Sequence, residues 1–226
     1  MSVARNDMTG FMLTHDLIRR AVPELSERLT AAEPGDGAAV RRIVRWWGVF
    51  TTILNRHHEV EDRLVWPVAI AAAPGLADAV TEIEGQHATL DGHLEHIDAG
   101  LAGLSEALAD TWHERVAALR ETVAVFDAVL EEHLILEERT LVPALETTVG
   151  PQAFAALGAA LARDHSPQSV ATEMPMVVAH AGEAQREVML GRMPAPVRQR
   201  FLTEWEPRYQ ELVDSLPGGR HPARAA

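Results

Sequence analysis

Two stretches of the chain repeat one pattern of apolar and polar positions. The first stretch covers residues 50–68, with the pattern positions Phe50, Leu54, His57, Glu61, Leu64 and Val68. The second covers residues 126–144, with the pattern positions Phe126, Leu130, His133, Glu137, Thr140 and Ala144. The steps alternate between four and three residues, which is the spacing of one face of an α-helix. Each stretch is therefore predicted to be a helix whose buried face carries a His-x-x-x-Glu pair between apolar ends.

A second repeated pattern predicts two more helices, over about residues 9–32 and 76–104. The earlier copy has the positions Phe11, His15, Ile18, Val22, Leu25 and Leu29. The later copy has the positions Ile83, His87, Leu90, Leu94, Ile97 and Leu101. In each copy a histidine is the only polar residue on the predicted buried face.

The two patterns together predict that one helical hairpin occurs twice. The helix that contains His57 is expected over about residues 38–72, with a kink at Pro67. The helix that contains His133 is expected to start at a Thr-x-x-Glu capping box at Thr111 and to end near Val149. The predicted fold class is all-α, an antiparallel up-and-down four-helix bundle over residues 8–149 with additional C-terminal helices.

The remainder of the chain carries no repeated polar pattern. Residues 150–216 are predicted to be a helical extension packed on the bundle, with helices at about 151–164, 168–190 and 195–215. Pro175 and Met193-Pro194 are expected to interrupt these helices. Residues 217–226 are predicted to be a disordered tail.

Composition and charge exclude several classes of protein. The chain has 226 residues, 47% of them hydrophobic, which is enough for one sizeable core. Its formal net charge of −13 argues against nucleic acid or an anionic membrane as a partner. It has no cysteine, so disulfides and thiolate metal sites are excluded. No membrane span or signal peptide is recognised, and a cytoplasmic location is expected. The oligomeric state stays open.

The inward positions of the four predicted helices form a set that suits metal ions. The set consists of His15, His57, Glu61, His87, His133 and Glu137. Such nitrogen and oxygen donors favour iron, with manganese or zinc as alternatives. Six protein ligands are too many for one catalytic ion and too few to fill two six-coordinate ions. His58 directly follows His57, and it could be an additional ligand or a neighbour of the ligands, although a flank position is favoured. Asp91 lies one helical turn after His87, and it is left open between a ligand, a neighbour of the ligands and a simple polar residue.

The other histidines are not assigned to the metal set. His93 and His96 are predicted to face solvent because their helical angles point away from His87. His113 and His221 receive no role. For His165 and His180 a surface position is favoured over a metal-binding one.

Taken together, these residues resemble the hemerythrin-like (HHE cation-binding) family, in its bacterial branch. The resemblance covers about residues 8–148 and depends on four motifs: Thr14-His15-Asp16, His57-His58-Glu59-Val60-Glu61 with Trp66-Pro67, Gln86-His87, and His133-Leu134-Ile135-Leu136-Glu137-Glu138 with Val142-Pro143. It implies two iron ions with an oxo or hydroxo bridge. The four histidines of the set would be terminal ligands, and Glu61 and Glu137 would bridge the irons.

Two departures separate the chain from the oxygen-carrying members of the family that it resembles. Asp91 stands where the carriers have a second histidine of a His-x-x-x-His pair, and the last helix has His-x-x-x-Glu in place of His-x-x-x-x-Asp. Both departures make reversible oxygen carriage doubtful.

Three functions remain open at this point. The first is a di-iron protein that binds dioxygen or nitric oxide, or senses iron or redox state. The second is an enzyme, either a peroxide-decomposing or ferroxidase-type protein or an oxidase or oxygenase of an organic substrate. The third is a helical protein with a structural metal, which the unfilled coordination positions disfavour.

Overall fold

A computed structural model describes residues 5–219, and within that range the chain forms helices and loops without a strand. The first part contains α1 (Thr9–Ala31), α2 (Gly37–Val60), α3 (Trp66–Ala72), α4 (Ala77–Ser105), α5 (Trp112–Thr140) and α6 (Val142–Thr147). The second part contains α7 (Pro151–Asp164), α8 (Pro167–His180), α9 (Glu183–Arg192), α10 (Ala195–Arg200) and α11 (Glu206–Asp214). None of the helices in residues 5–219 has the length and apolarity needed to cross a membrane. The predicted all-helical class is therefore confirmed.

The four long helices contact one another in a closed cycle. Helix α1 contacts α2 and α5, and α4 contacts the same two helices. The apolar residues of the predicted faces are buried between them, and Leu25, Phe50, Leu90 and Phe126 are all fully buried or nearly so. Burial of each such side chain stabilises the fold by about 1.5–3 kcal/mol.

The buried apolar residues form two separate clusters along these helices. One cluster contains Trp47 and Phe50 of α2 together with Phe126 of α5. The other lies towards the opposite end and contains Trp66 of α3 and Ile83 of α4. The polar positions of the repeated patterns fall between the two clusters, so apolar packing on both sides fixes their height in the protein.

The ends of the helices follow local sequence signals. The carboxylate of Asp36 accepts a hydrogen bond from the backbone N–H of Ala39 (2.9 Å) and caps the start of α2. Helix α5 begins directly after Thr111 as expected, but no capping-box bond forms there. The Thr111 hydroxyl instead donates to the carbonyl oxygen of Leu108 (3.3 Å).

The irregularity expected at Pro67 lies just before it. Residues Glu61–Val65 form a π-helical turn, and the N–H of Trp66 bonds to the carbonyl of Glu61, five residues earlier. A proline in an α-helix clashes with the carbonyl four residues before it, and the wider turn relieves this clash. The same arrangement occurs at Phe201–Trp205, just before Pro207. The helical path from α2 to α3 thereby continues through Glu61.

The C-terminal helices lie against the long helices. Helix α8 contacts α1 and α2, α11 contacts α2, and α7 contacts the turn at Glu61–Val65. The expected break at Pro175 is wrong, because Pro175 lies inside α8 and the chain breaks at Ala181-Gly182 instead. The break at Met193-Pro194 is present between α9 and α10.

The end of the described chain is held by α1. The guanidinium of Arg28 donates hydrogen bonds to the carbonyl oxygens of Pro217 (3.0 Å) and Gly219. The rest of the predicted tail, residues 220–226, lies outside the described residues.

Candidate metal site

Four histidines, one from each long helix, point into the space between the two apolar clusters. They are His15 of α1, His57 of α2, His87 of α4 and His133 of α5. His15 and His133 are completely buried. The Nε2 atom of each of the four rings has no hydrogen-bond partner among the described residues. Buried polar atoms normally have partners, so four such atoms in one place require an explanation.

The opposite nitrogens of three of these rings are held by acceptor groups. Nδ1 of His15 donates to Glu138 Oε1 (2.8 Å), Nδ1 of His87 to Asp62 Oδ2 (3.2 Å) and Nδ1 of His133 to Gln86 Oε1 (3.0 Å). These oxygens accept hydrogen bonds, so the Nδ1 atoms carry the protons. In the neutral rings the Nε2 atoms then hold free lone pairs that point inward. Metal-ligating histidines are commonly oriented in this way.

Glu61 and Glu137 lie among the four rings, and the two oxygens of each carboxylate approach different rings. Glu61 Oε1 is 3.3 Å from His57 Nε2, and Glu61 Oε2 is 3.9 Å from His87 Nε2. Glu137 Oε2 is 3.4 Å from His15 Nε2, and Glu137 Oε1 is 3.2 Å from His133 Nε2. Each carboxylate therefore has one oxygen towards the pair His15 and His57, and the other towards the pair His87 and His133.

A fifth buried histidine joins the site. His58 is only 5% exposed, and neither of its ring nitrogens has a partner in the described part of the chain. Its ring stacks on that of His87, with centroids 4.1 Å apart and an interplanar angle of 12°. The potential ligand atoms form two groups, His58 with His87 and His133, and His15 with His57, Glu61 and Glu137. Within each group these atoms lie within 4.8 Å of one another.

Comparison with known proteins gives one match. Residues 9–145, more than half of the chain, match the family model described as "Hemerythrin HHE cation binding domain". The chain belongs to the hemerythrin HHE cation-binding family. No curated protein and no solved structure matches the chain.

The donor set of this HHE domain fits cations. Imidazole nitrogens and carboxylate oxygens converge without thiolates, a combination that suits iron, manganese or zinc. The inward atoms of the four rings, both nitrogens of His58 and both oxygens of each carboxylate lack hydrogen-bond partners among residues 5–219. A bound cation would compensate these atoms, which burial otherwise leaves costly.

Electrostatics in the HHE domain supports the same interpretation. Burial lowers the pKa of His15, and burial lowers the pKa of His57 to about 3, which favours the neutral form of both rings at pH 7. Burial and the neighbouring charge of Glu137 raise the pKa of Glu61 well above its ordinary value. Burial alone would raise the pKa of Glu137, but the contacts with His133 and His87 outweigh it and lower that pKa. Two carboxylates this close resist ionising together unless a cation lies between them.

A cavity of about 590 Å³ opens beside this cluster and has His58 and His87 among its lining residues. For Asp91 the sequence left open a ligand, a neighbour of the ligands and a simple polar residue; the side chain is exposed at this cavity and belongs to neither group of potential ligand atoms. His96 is exposed as predicted. His93 is half-buried, 6.4 Å from the Phe126 ring, and lies apart from the ligand groups.

The remaining histidines separate into surface and interior positions. His113 and His165 are exposed, and His221 lies outside the described residues. The surface position favoured for His180 is wrong, because this ring is 1% exposed and contacts the Glu24 carboxylate. Helix α8 covers α1, and that packing buries the ring.

Sequence reasoning missed the residues that orient the rings. Asp62, Gln86 and Glu138 each lie next to a predicted ligand in the sequence. The available signal was a carboxylate or amide directly next to a predicted ligand in the sequence. Its side chain points about 100° away from that ligand and can therefore bond a histidine on a neighbouring helix. That the six predicted residues bind metal stays a prediction.

Proposed function

We propose that this protein is a non-haem di-iron protein whose carboxylate-bridged site binds or reacts with dioxygen, peroxide or nitric oxide. In this proposal α1, α2, α4 and α5 form an antiparallel four-helix bundle within residues 8–149. Residues 150–216 form an extension that covers α1 and α2.

The arrangement of the two carboxylates carries the proposal. Each of Glu61 and Glu137 directs one oxygen to one pair of histidines and its second oxygen to the other pair. A carboxylate that binds a single ion would direct both oxygens, or its only ligating oxygen, towards one pair of histidines. Two carboxylates that each reach both pairs of histidines favour two ions with both carboxylates as bridges.

The number and type of donors favour iron over a structural zinc. Structural zinc sites usually have four protein ligands that complete a tetrahedron. Here four imidazoles and two carboxylates, with His58 nearby, fall short of filling two six-coordinate ions. The free positions would be available to small ligands, and a pair of bound irons would supply the redox chemistry towards oxygen species.

The protein residues would control access and orientation. Glu138 accepts hydrogen bonds from His15 and also from Arg19 Nη1 (2.6 Å), which fixes the ring of His15 from outside. The cavity gives small molecules a path from solvent to His58 and His87. Because the site is open on this side, we expect reaction with oxygen or peroxide in preference to protected, reversible storage.

The test is to reduce the iron-loaded protein without oxygen, admit air and follow the optical spectrum together with peroxide consumption. We expect a fast spectral change that vacuum does not reverse, and measurable decomposition of peroxide. A change that vacuum fully reverses, with no decomposition of peroxide, would contradict the reactive function and indicate a carrier.

A further inference from the structure

The cavity beside His58 has an unusual lining. Five carboxylates line it: Glu59, Asp62, Asp91, Glu95 and Asp98. Among the described residues that line it there is no lysine or arginine, and Leu94 is the only aliphatic side chain. Clefts lined by charges of one sign concentrate the field and raise the local concentration of counter-ions. This lining suits a small hydrated cation better than an organic molecule, which prefers apolar and aromatic walls.

The acidic lining alone would not define a site, because the whole chain carries a formal charge of −13. His58 supplies the second observation. Its ring is 5% exposed, lines the cavity and has two nitrogens without a partner in the described range. Imidazole nitrogens commonly bind divalent transition metals, so a buried imidazole beside these carboxylates suits such a cation.

The position of His58 connects the cavity to the cluster behind it. Its ring lies 4.1 Å from that of His87 and 5.3 Å from that of His133, measured between centroids. Because the rings of His58 and His87 are stacked, their lone pairs lie in nearly parallel planes and do not converge well on one ion. His58 is therefore better placed to take an ion first and pass it on than to share it with His87.

We propose that this acidic cavity is the route by which divalent metal ions enter the site, with the exposed carboxylates collecting the hydrated ion and His58 receiving it. The inference extends the proposed function, because it requires that the cluster holds metal. The carboxylates then raise the rate of loading and leave the final metal content unchanged.

The experiment measures how fast metal-free protein takes up cobalt(II), followed by its visible absorption in a stopped-flow instrument. The test variant is the triple substitution Glu59→Gln, Glu95→Gln and Asp98→Asn. All three side chains are exposed, and the substitutions leave Asp62, Asp91 and every predicted ligand in place. The control is Asp110→Asn, Glu114→Gln and Glu121→Gln, which removes the same charge from exposed positions that do not line the cavity.

We expect the cavity variant to load about tenfold more slowly than both the control and the wild type at low ionic strength, with the same final stoichiometry. The difference should shrink at about 0.5 M salt, where charges are screened within a few ångströms. Equal loading rates in the cavity variant and the control would overturn the route and leave the proposed function standing. A wild type that takes up no metal would overturn both.

Discussion

Ionisable side chains of the described residues are buried as one group between the four long helices and as another group where α8 covers α1. In the second group the carboxylate of Glu24 receives hydrogen bonds from Arg28 Nη2 (2.7 Å) and contacts His180 Nε2 (3.1 Å). The other nitrogen of His180 donates to the carbonyl oxygen of Met176 (2.8 Å). In the first group, by contrast, both oxygens of Glu61 and of Glu137 lack hydrogen-bond partners among the described residues.

This difference separates a structural cluster from a ligand site. Around Glu24 the protein itself satisfies the buried charges, and the cluster joins the C-terminal helices to α1. Around Glu61 the protein satisfies the outer nitrogens of three of the rings and leaves the inner atoms without hydrogen-bond partners among the described residues. Both groups are similarly buried, so burial alone would not have distinguished them.

The largest contrast is expected from removing a bridge. Glu61→Ala or Glu137→Ala should lose nearly all of the bound metal, because each carboxylate would hold both ions. Metal analysis of the purified variants measures this. His93→Ala and His96→Ala are the controls, since neither ring belongs to the ligand groups, and they should keep the wild-type content. Equal loss in the His93 and Glu61 variants would contradict the assignment of the site.

At the buried group around Glu24 the expected effect is on the free energy of unfolding and not on the metal content. Glu24→Ala leaves Arg28 and His180 buried without their carboxylate, which should lower the free energy of unfolding by about 3 kcal/mol. Glu27→Ala, an exposed neighbour on α1, is the control and should change it by less than about 0.5 kcal/mol. Urea unfolding measures both. If metal content per folded chain falls in the Glu24 variant, the two clusters are not independent.

An intermediate effect is expected from a residue that only orients a ligand. Glu138→Gln weakens the hold on His15 and should reduce metal affinity roughly 10- to 100-fold, as measured by competition with a chelator. The matched control is Glu131→Gln. Glu131 accepts from the same Arg19 (Nε, 2.8 Å) but has no contact with His15 among those found. Equal affinities for the two variants would show that the charge near Arg19 matters and the contact with His15 does not.

The last effect concerns the metal-free protein and depends on pH. The pKa of Glu61 is raised in the folded state from its ordinary value of 4.5, so above that pH the folded state binds the extra proton. The free energy of unfolding therefore falls as pH rises, by at most about 1.4 kcal/mol per pH unit from this group.

Glu61→Gln removes that contribution, and the metal-free variant should gain stability over the wild type as pH is raised from about 5 to about 8. Urea unfolding of both proteins at several pH values measures the difference, in which the titration of His57 and other common groups largely cancels. A difference that stays constant with pH would contradict a buried, protonated Glu61.

The sequence predicted the four long helices and their inward positions because each pattern of apolar and polar residues has the helical period of 3.6 and occurs twice along the chain. It left the role of His58 open between a ligand, a neighbour of the ligands and a flank position, because neighbouring residues on a helix differ by about 100° and a single narrow face was assumed. In a helix packed against several others the buried arc is wider, and His57 and His58 both lie inside it.

The contacts of the C-terminal segment were beyond sequence reasoning for a different reason. Glu24 and His180 are 156 residues apart, and no local pattern links them. The chain likewise breaks at Ala181-Gly182, whereas Pro175 lies within α8. The repeated patterns made the four long helices predictable. The C-terminal segment has no such repeat, and its contacts depend on tertiary packing.

The most direct test of the central claim is metal analysis combined with the optical spectrum, on one sample of protein expressed with sufficient iron and purified in air. Because each carboxylate reaches both pairs of histidines, we expect two irons per chain and the near-ultraviolet absorption of a bridged diferric pair. One tightly bound zinc per chain, with no iron, would contradict the account.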